Sequence, residues 1–540
     1  MKRSLRILLS VMSGIMLSLP WLGFPGWLLF AAFLPLLLLD HFFLVNRSAY
    51  KSIAMWSHAF LAFFIWNSLT TWWIMHATLT GAILAVVANS LLMSGVVWLA
   101  HLIRRNSAGA MGYLAWIVFW LTFEFFHFHW DIEWPWLTLG NGFADNVSII
   151  QWYEYTGTLG GSLWVWVINI AIFNLLRVYS LTRNYRAVRY QAAFLSALVI
   201  IPVGISLIRY FTYTPRGISR NVLLVQPNID PYSETFDDGA INDKLAGFIR
   251  ITDNALTPEA DYIIGPETVF EQQWEEDKLD MYPAFGRLRE YTGTEGKPAI
   301  IIGASTYRIY RDPDQVTQTA RKSRDGAFWY DVFNSAIFSD HTGRNQVYHK
   351  SILVSGVEKM PFRKYLRFLG DVIIDLGGTT GTLGVQPYPT NFIAPNGDQL
   401  APVICYESVF GGYVGRFVSK GAQLIVIITN DGWWKNTPGY RQHFSFARLR
   451  AVETRRDIAR SANTGISGVI SQRGDVLVKT GWWQEDALMA EVLLNDRLTF
   501  YVKTGDYIGR ISMFVSALLL LYLIATVLKR TKKIRTNSIA

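Results

Sequence analysis

Cys405 is the only cysteine in a chain of 540 residues. It closes the apolar run PVIC and precedes Tyr406-Glu407-Ser408, a place where a strand would turn towards a helix. A free thiol in such a run is ordinarily a small buried hydrophobe. Once ionised, it is also a nucleophile that can hold an acyl group as a thioester. Two other residues stand at comparable strand ends, where the working groups of α/β domains gather: Glu267 ends DYIIGPE and Lys350 ends QVYHK. A carboxylate suits general-base removal of a thiol proton, and an ammonium stabilises a thiolate and the oxyanion of a tetrahedral intermediate. Singly, the glutamate reads equally as a cap or ion-pair partner, and the lysine as a solvated surface charge. One cysteine excludes an intramolecular disulfide, and no Cys/His cluster has zinc-site spacing, so no metal or cofactor is implied.

Strands must position these groups. NVLLVQPNI (221–229), DYIIGPE (261–267), AIIIGAST (299–306), FNSAIFSD (333–340), FIAPNG with LAPVICYE (392–407) and AQLIVIITND (422–431) are rich in branched residues, which predicts strands. NDKLAGFIRITDNAL, KLDMYPAFGRLREY and YRQHFSFARLRAVETRRDIA have helical periodicity. The alternation predicts an α/β layered domain over residues 213–505.

The rest of the chain is of another kind. Hydrophobic residues make up 51% of the whole and the mean hydropathy is positive, too apolar for an ordinary soluble enzyme. Apolar stretches near spanning length fall at about 5–22, 25–44, 53–75, 80–102, 111–128, 161–179 and 191–210, with an eighth at about 511–528. The expected fold class is a polytopic α-helical membrane domain of about eight spans, with the α/β domain inserted before the last. Residues 1–212 carry seven spans, and residues 506–540 carry the eighth and a basic tail. The start MKRSLRILLSVMSGIMLSLPWLG has the basic and apolar regions of a signal peptide but no clear small-residue cleavage site, and reads as a retained span.

Basic residues orient the spans. Lys2, Arg3 and Arg6 precede the first; Arg47 and Lys51 follow the second; Arg104 and Arg105 follow the fourth; Arg177, Arg183, Arg186 and Arg189 follow the sixth; Lys529, Arg530, Lys532, Lys533 and Arg535 follow the last. Loops near 23–24, 76–79 and 129–160 hold no Lys or Arg. The termini are therefore expected in the cytoplasm and the α/β domain on the periplasmic or outer side, where an unpaired thiol asks for a functional reason. Those sixteen basic residues leave 34 of the 50 Lys+Arg, against at most 41 acidic residues elsewhere. The α/β domain is then not basic, which removes the support for nucleic-acid binding.

The long outer loop, HWDIEWPWLTLGNGF and then QWYEYTG, is dense in aromatic rings. Two readings stay open for it: an interfacial belt, or a lip that guides a lipid towards the α/β domain. Glu124, inside the fifth span beside His127 and His129, is a functional candidate because a carboxylate in lipid is costly, and snorkelling to the outer surface is the other reading. No paired charges of the kind that line a transport path are evident in the spans.

The chemistry-bearing residues resemble those of the nitrilase, or carbon–nitrogen hydrolase, superfamily. Pro266-Glu267-Thr268, Tyr348-His349-Lys350 and Ile404-Cys405-Tyr406-Glu407 match its three motifs in order. The resemblance extends over almost the whole chain to a membrane branch, the bacterial apolipoprotein N-acyltransferases. Further matching pieces are Glu133-Trp134-Pro135-Trp136, Asn430-Asp431-Gly432-Trp433-Trp434, Arg450-Ala451-Val452-Glu453, and Arg460 with Asn463, Thr464 and Gly465. It implies an αββα sandwich for the inserted domain and catalytic roles for Glu267, Lys350 and Cys405. Supporting roles fall to Glu358 and Glu407, and the N–H of Tyr406 is expected as a second oxyanion donor. Trp433, Trp434, Trp134 and Trp136 are candidates to line the substrate, with core packing as the other reading. The implied partners are a membrane phospholipid as acyl donor, a diacylglyceryl-cysteine apolipoprotein as acceptor and the lipid bilayer, with the protein a monomer in the bacterial inner membrane. The chain departs from the family's usual His-Leu-Val-Pro-Phe-Gly-Glu type run in Ser351-Ile352-Leu353-Val354-Ser355-Gly356-Val357-Glu358, which keeps the glutamate and alters the loop before it.

The same three residues would serve a membrane-tethered amidase that passes the acyl group to water. A transporter or scaffold with an inactive domain is the remaining alternative; chemically competent residues at every motif position argue against it.

Overall fold

The computed structural model describes residues 1–107, 109–232, 238–359 and 383–539, with the backbone alone for 238–242, 270–271 and 530–539. The chain forms two compact units: residues 1–72, 82–211 and 506–540 make one, and residues 73–81 and 212–505 the other. Of the expected basic tail, the side chains from Arg530 onward lie outside the described residues.

The first unit is a helical bundle. Its helices are α1 (Arg3–Ser18), α2 (Leu34–Val45), α3 (Ile53–Thr71), α4 (Leu79–Asn106), α5 (Ala110–His127), α6 (Tyr153–Thr182) and α7 (Tyr185–Thr212), with a final helix Tyr507–Ile539. Among the described residues, seven segments are long and apolar enough to cross a membrane, as expected for a multi-pass membrane protein. The expected third span, α3, is not among those seven. Its 19 residues reach roughly 28 Å at 1.5 Å per residue, yet it carries buried Asn67, Thr70 and Thr71. These polar groups are satisfied inside the bundle: Asn67 donates to Phe63 O at 2.9 Å, and Asn89 on α4 donates to Asn67 Oδ1 at 2.8 Å. The sixth span reads as starting near 161 because α6 breaks at Gly157, which takes a left-handed φ of 61°.

The aromatic outer loop folds into the bundle. Short 3-10 turns at Pro135–Leu137 and Leu139–Phe143 are buried. Glu124 on α5 is itself buried and accepts from Leu139 N (2.8 Å) and Trp120 Nε1 (2.9 Å). Glu124 thus fastens the loop and does not snorkel. Paired charges, contrary to the sequence reading, are present. Buried Asp40 on α2 meets His101 on α4 at 2.5 Å and also the guanidinium of Arg104. Glu154 and Arg209 form a second pair at 2.7 Å.

The second unit is built on two sheets. In the first, β1 (Ile218–Gln226), β2 (Tyr262–Ile264) and β4 (Ala299–Tyr310) run parallel, with β14 (Asp486–Leu494) antiparallel outside β1 and β6 (Trp329–Ser339) antiparallel outside β4. β3 (Phe270–Glu275) pairs with β4, while β5 (Arg321–Lys322) and β7 (Asn345–His349) pair with β6. In the second, β9 (Gln399–Ile404), β10 (Leu424–Thr429) and β11 (Ile458–Ala462) are parallel; β8 (Phe392–Ile393), β12 (Gly468–Ile470) and β13 (Val476–Lys479) complete it. Alternate residues of β1 explain the layering. Leu223 and Val225 pack with Leu245, Phe248 and Ile251 of α8 (Asp238–Ala255) and Phe285 and Leu288 of α9 (Pro283–Arg289). The opposite face of β1 meets β11, and α10 (Gly411–Ser419) and α11 (Pro438–Thr454) pack on the second sheet. This is the expected α-β-β-α order.

The Asp40 cluster yields a test of the bundle. Asp40→Ala leaves Arg104 buried without its carboxylate and should lower unfolding stability by about 3–5 kcal/mol. Thermal unfolding in detergent measures it, and the Asp40→Ala/Arg104→Leu double variant should recover much of the loss. Equal melting temperatures for wild type and Asp40→Ala would show that the pair is not structural.

Candidate active site

The parallel strands of both sheets end at one pocket of the second unit. β2 ends at Ile264 and leads to Glu267. The next residue, Thr268, takes a left-handed φ of 47°. This turn lies directly on β4: a Cβ on Gly303 would stand 2.6 Å from Glu267 Cα and 2.7 Å from Pro266 O. Only glycine allows that approach. Lys350 follows β7 immediately, its N–H donating to Asn334 O on β6 at 2.8 Å. Cys405 follows β9 and opens a 3-10 turn, Cys405–Val409, with φ 49°. A non-glycine residue in that region costs about 1–2 kcal/mol and persists where its surroundings hold it.

Glu267, Lys350 and Cys405 are all buried. Lys350 Nζ donates to Glu267 Oε1 at 3.1 Å and to Glu358 Oε1 at 2.9 Å. Burial opposes the ammonium, but the Glu267 and Glu358 carboxylates outweigh it and hold Lys350 well above its ordinary pKa. Asn334 is the residue that sequence reasoning missed. Its amide donates to Glu267 Oε1 (2.7 Å) and Glu358 Oε1 (3.1 Å), so both carboxylates share two donors. The other Glu267 oxygen accepts from Asn430 N at 3.1 Å, and the other Glu358 oxygen from Val354 N at 2.8 Å.

The resting site favours the thiol over the thiolate. Burial pushes the Cys405 pKa up, the Glu267 carboxylate raises it further, and the ammonium of Lys350 only partly offsets them. The Lys350 ammonium thus acts in the expected direction, towards the thiolate, but burial and the Glu267 carboxylate outweigh it in the resting site.

Glu407 is buried against the turn that begins at Cys405. Its carboxylate accepts from Ile404 N (2.9 Å), Tyr348 Oη (2.7 Å), Ser351 N (2.6 Å) and Ile352 N (3.3 Å). Burial pushes its pKa to about 7, against these donors. The loop that departs from the resembled family is thereby pinned at Ser351 by Glu407 and at Val354 by Glu358. Tyr406 is buried, its ring edge-on to Phe410.

A second buried group stands behind the cysteine. His443 on α11 faces Asp431 Oδ1 through Nδ1 (2.9 Å), while its Nε2 faces Ser408 Oγ (3.0 Å) and the Cys405 carbonyl oxygen (3.2 Å). Ser408 Oγ also donates to that carbonyl at 2.7 Å. Arg460 pairs with Asp431 at 2.5 Å. Although burial opposes the charge, Arg460 and His443 hold the Asp431 pKa at about 2. The Thr429 hydroxyl touches both Asp431 (3.0 Å) and the thiol. Asp431 thus reaches Cys405 by two routes, through its carbonyl and through its sulfur. A histidine inside an otherwise mixed helical pattern gave no sequence signal for this role.

Of the tryptophans, Trp434 is half-buried and packs on Trp73 (4.8 Å between centroids) and His443 (5.4 Å). Trp433 is exposed and meets Tyr232, whose hydroxyl donates to the Trp433 carbonyl at 2.6 Å. Trp134 and Trp136 stack at 5.7 Å inside the first unit, where Trp136 is buried. Among the described residues, no group of three or more His, Cys, Asp or Glu side chains is arranged to hold a metal ion.

Two outcomes follow. Alkylation of Cys405 by iodoacetamide should rise with pH through 7–9.5 without a plateau, because a raised thiol pKa leaves little thiolate there; a plateau below pH 8 would contradict the neutral thiol. His443→Ala should slow that alkylation and His443→Gln should restore part of the rate, with circular dichroism unchanged; equal rates in all three proteins would remove His443 from the support of Cys405.

Residues 224–497 match the carbon–nitrogen hydrolase family, and residues 13–171 match the apolipoprotein N-acyltransferase N-terminal domain. The chain is 28% identical to an apolipoprotein N-acyltransferase of Chlorobaculum tepidum, with 97% of each chain covered. It is 24% identical to one of Geobacter metallireducens, over 92% of this chain and 91% of that one. A third, from Pseudomonas syringae pv. tomato, is 27% identical over 81% of this chain and 80% of the relative. With half of its length matched to one family and its N-terminal spans to a domain found in the same relatives, the chain belongs to the carbon–nitrogen hydrolase family and carries the apolipoprotein N-acyltransferase N-terminal domain.

Proposed function

We propose that this protein transfers an acyl chain from a membrane phospholipid to the N-terminal amine of diacylglyceryl-cysteine apolipoproteins, through a thioester on Cys405. The observation that carries the reading is the buried cluster of Glu267, Lys350 and Cys405 in a chain that also supplies its own membrane spans. Relatives of nearly full length bear the same activity in their names.

Glu267 removes the thiol proton as sulfur attacks the ester carbonyl. Proton transfer and attack are coupled, because the free thiolate is disfavoured in this site. The developing oxyanion is met by the Lys350 ammonium and by the N–H of Tyr406, the residue after the nucleophile. The tetrahedral intermediate collapses, the C–O bond breaks, and Glu267 returns its proton to the departing lysophospholipid oxygen. In the second half, Glu267 takes a proton from the attacking amine; the C–S bond breaks, sulfur regains the proton, and the amide leaves. Glu358 and Asn334 hold Lys350 and Glu267 in place throughout, and Glu407 fixes the turn that carries the nucleophile.

The charge pattern of the loops supports an inner-membrane protein with both termini in the cytoplasm and the catalytic unit on the periplasmic side. Membrane attachment supports a lipid donor over the small amides used by a soluble amidase. Exposed Trp433 and half-buried Trp434 are suited to contact acyl chains. A thioester that outlasts the arrival of a scarce amine needs dry surroundings, and Cys405 is only 7% exposed.

Intact-mass spectrometry with phospholipid, before and after a diacylglyceryl-cysteine peptide is added, tests the reading. Wild type should gain one acyl-sized adduct that the peptide discharges as an N-acyl product; Cys405→Ala should gain none. Glu267→Gln and Lys350→Met should each slow adduct formation by at least about 100-fold. Discharge to water at the same rate with and without peptide would favour the hydrolase.

A further inference from the structure

We propose that a basic cleft in the first unit, between the α2–α3 turn and the end of α4, binds the phosphate of an anionic phospholipid headgroup. Its polar lining is Arg47, Ser48, Lys51, Ser52, Arg105 and Asn106, around a volume of about 760 Å3. No carboxylate lines it. The nearest buried acid on these helices, Asp40, is already engaged by His101 and Arg104. Three cations therefore converge on one concavity without a compensating anion, an arrangement whose mutual repulsion a bound phosphate would relieve.

The cleft is built and not merely a run of surface charge. Arg105 Nη1 donates to Tyr50 O at 3.1 Å and Nη2 to Arg47 O at 3.0 Å, so its guanidinium straps the 46–52 turn to the end of α4. The Arg6 guanidinium lies 5.2 Å from the centroid of the Tyr50 ring and donates to its hydroxyl at 3.4 Å, clamping the same turn from α1. With the backbone fixed, the Arg47 and Lys51 side chains make no hydrogen bond or ion pair among the described residues, and both are exposed. Serine and asparagine beside them supply neutral donors for the remaining phosphate oxygens.

Its level in the bundle and its neighbours select a lipid over a soluble phosphate. The lining comes from the ends of apolar helices, where headgroups lie, on the side where basic residues collect. From Ser52 at the cleft, residues at helical spacing continue down α3 as Trp56, Phe60 and Phe64, with successive rings stacked at 5.6 and 5.9 Å and Phe64 exposed. This aromatic stripe offers an acyl chain a track directly below a phosphate held at Ser52.

The full-length protein in phosphatidylcholine nanodiscs, titrated with phosphatidylglycerol and read by native mass spectrometry, tests the site. Wild type should show one saturable phosphatidylglycerol per chain in preference to phosphatidylcholine. Arg47→Gln/Lys51→Gln removes two cations that make no intramolecular contact, so it should fold as wild type and bind roughly thirty-fold more weakly. Trp56→Ala/Phe60→Ala should weaken phosphatidylglycerol without changing competition by its soluble deacylated headgroup. Undiminished binding by the double cation variant overturns the site. Displacement of the lipid by inorganic phosphate at equal concentration overturns the lipid as its source.

Discussion

One ammonium shared by two carboxylates, one buried and one partly exposed, is the constraint on which the catalytic unit turns. Lys350 lies between Glu267 and Glu358, and Asn334 bridges the same two acids from the neighbouring strand. Burial first, and then the Glu267 carboxylate, push the Cys405 pKa up against the pull of that ammonium. The two sheets serve this arrangement by ending at one place: β7, β9 and β10 each deliver one element of the cluster directly beyond their last residue, β2 delivers Glu267 three residues on, and Gly303 permits the close approach of the Glu267 turn to β4.

Much of this was legible in the sequence because strand ends are legible. Branched runs closed by Pro-Glu, His-Lys and Cys-Tyr-Glu located the three chemical groups without any structure, and the alternation of strands and helices predicted the layers. Asn334 escaped because a single asparagine inside FNSAIFSD has neither a periodic nor a motif signature. Its importance arises from the antiparallel pairing of β6 with β7, a contact between residues distant in sequence. His443 escaped for a similar reason: helical spacing shows which face it shares, but not that this face covers the carbonyl of the nucleophile.

The membrane unit shows the same limit in another solvent. The sequence reading placed a span at about 53–75, but could not say that Asn67, Thr70 and Thr71 of α3 are turned into the bundle and satisfied there. It also left Glu124 between function and snorkelling, when the carboxylate is in fact the fastening of a buried loop. Whether a polar residue in a span meets lipid, solvent or protein is decided by neighbouring helices, and one strand of text carries no record of them.

The nine residues 73–81 belong by packing to the catalytic unit, although in sequence they link α3 to α4. Trp73 rests on Trp434, and Gly439 is glycine where a Cβ would stand 2.6 Å from the Trp73 ring. Excising residues 212–505 as a water-soluble fragment would therefore remove a piece of its own wall. It would bare Trp434 and the start of α11, close to the histidine that steadies Cys405, so an inactive or aggregating fragment would say little about the intact enzyme. A faithful excision has to carry this distant stretch along, grafted or supplied in trans.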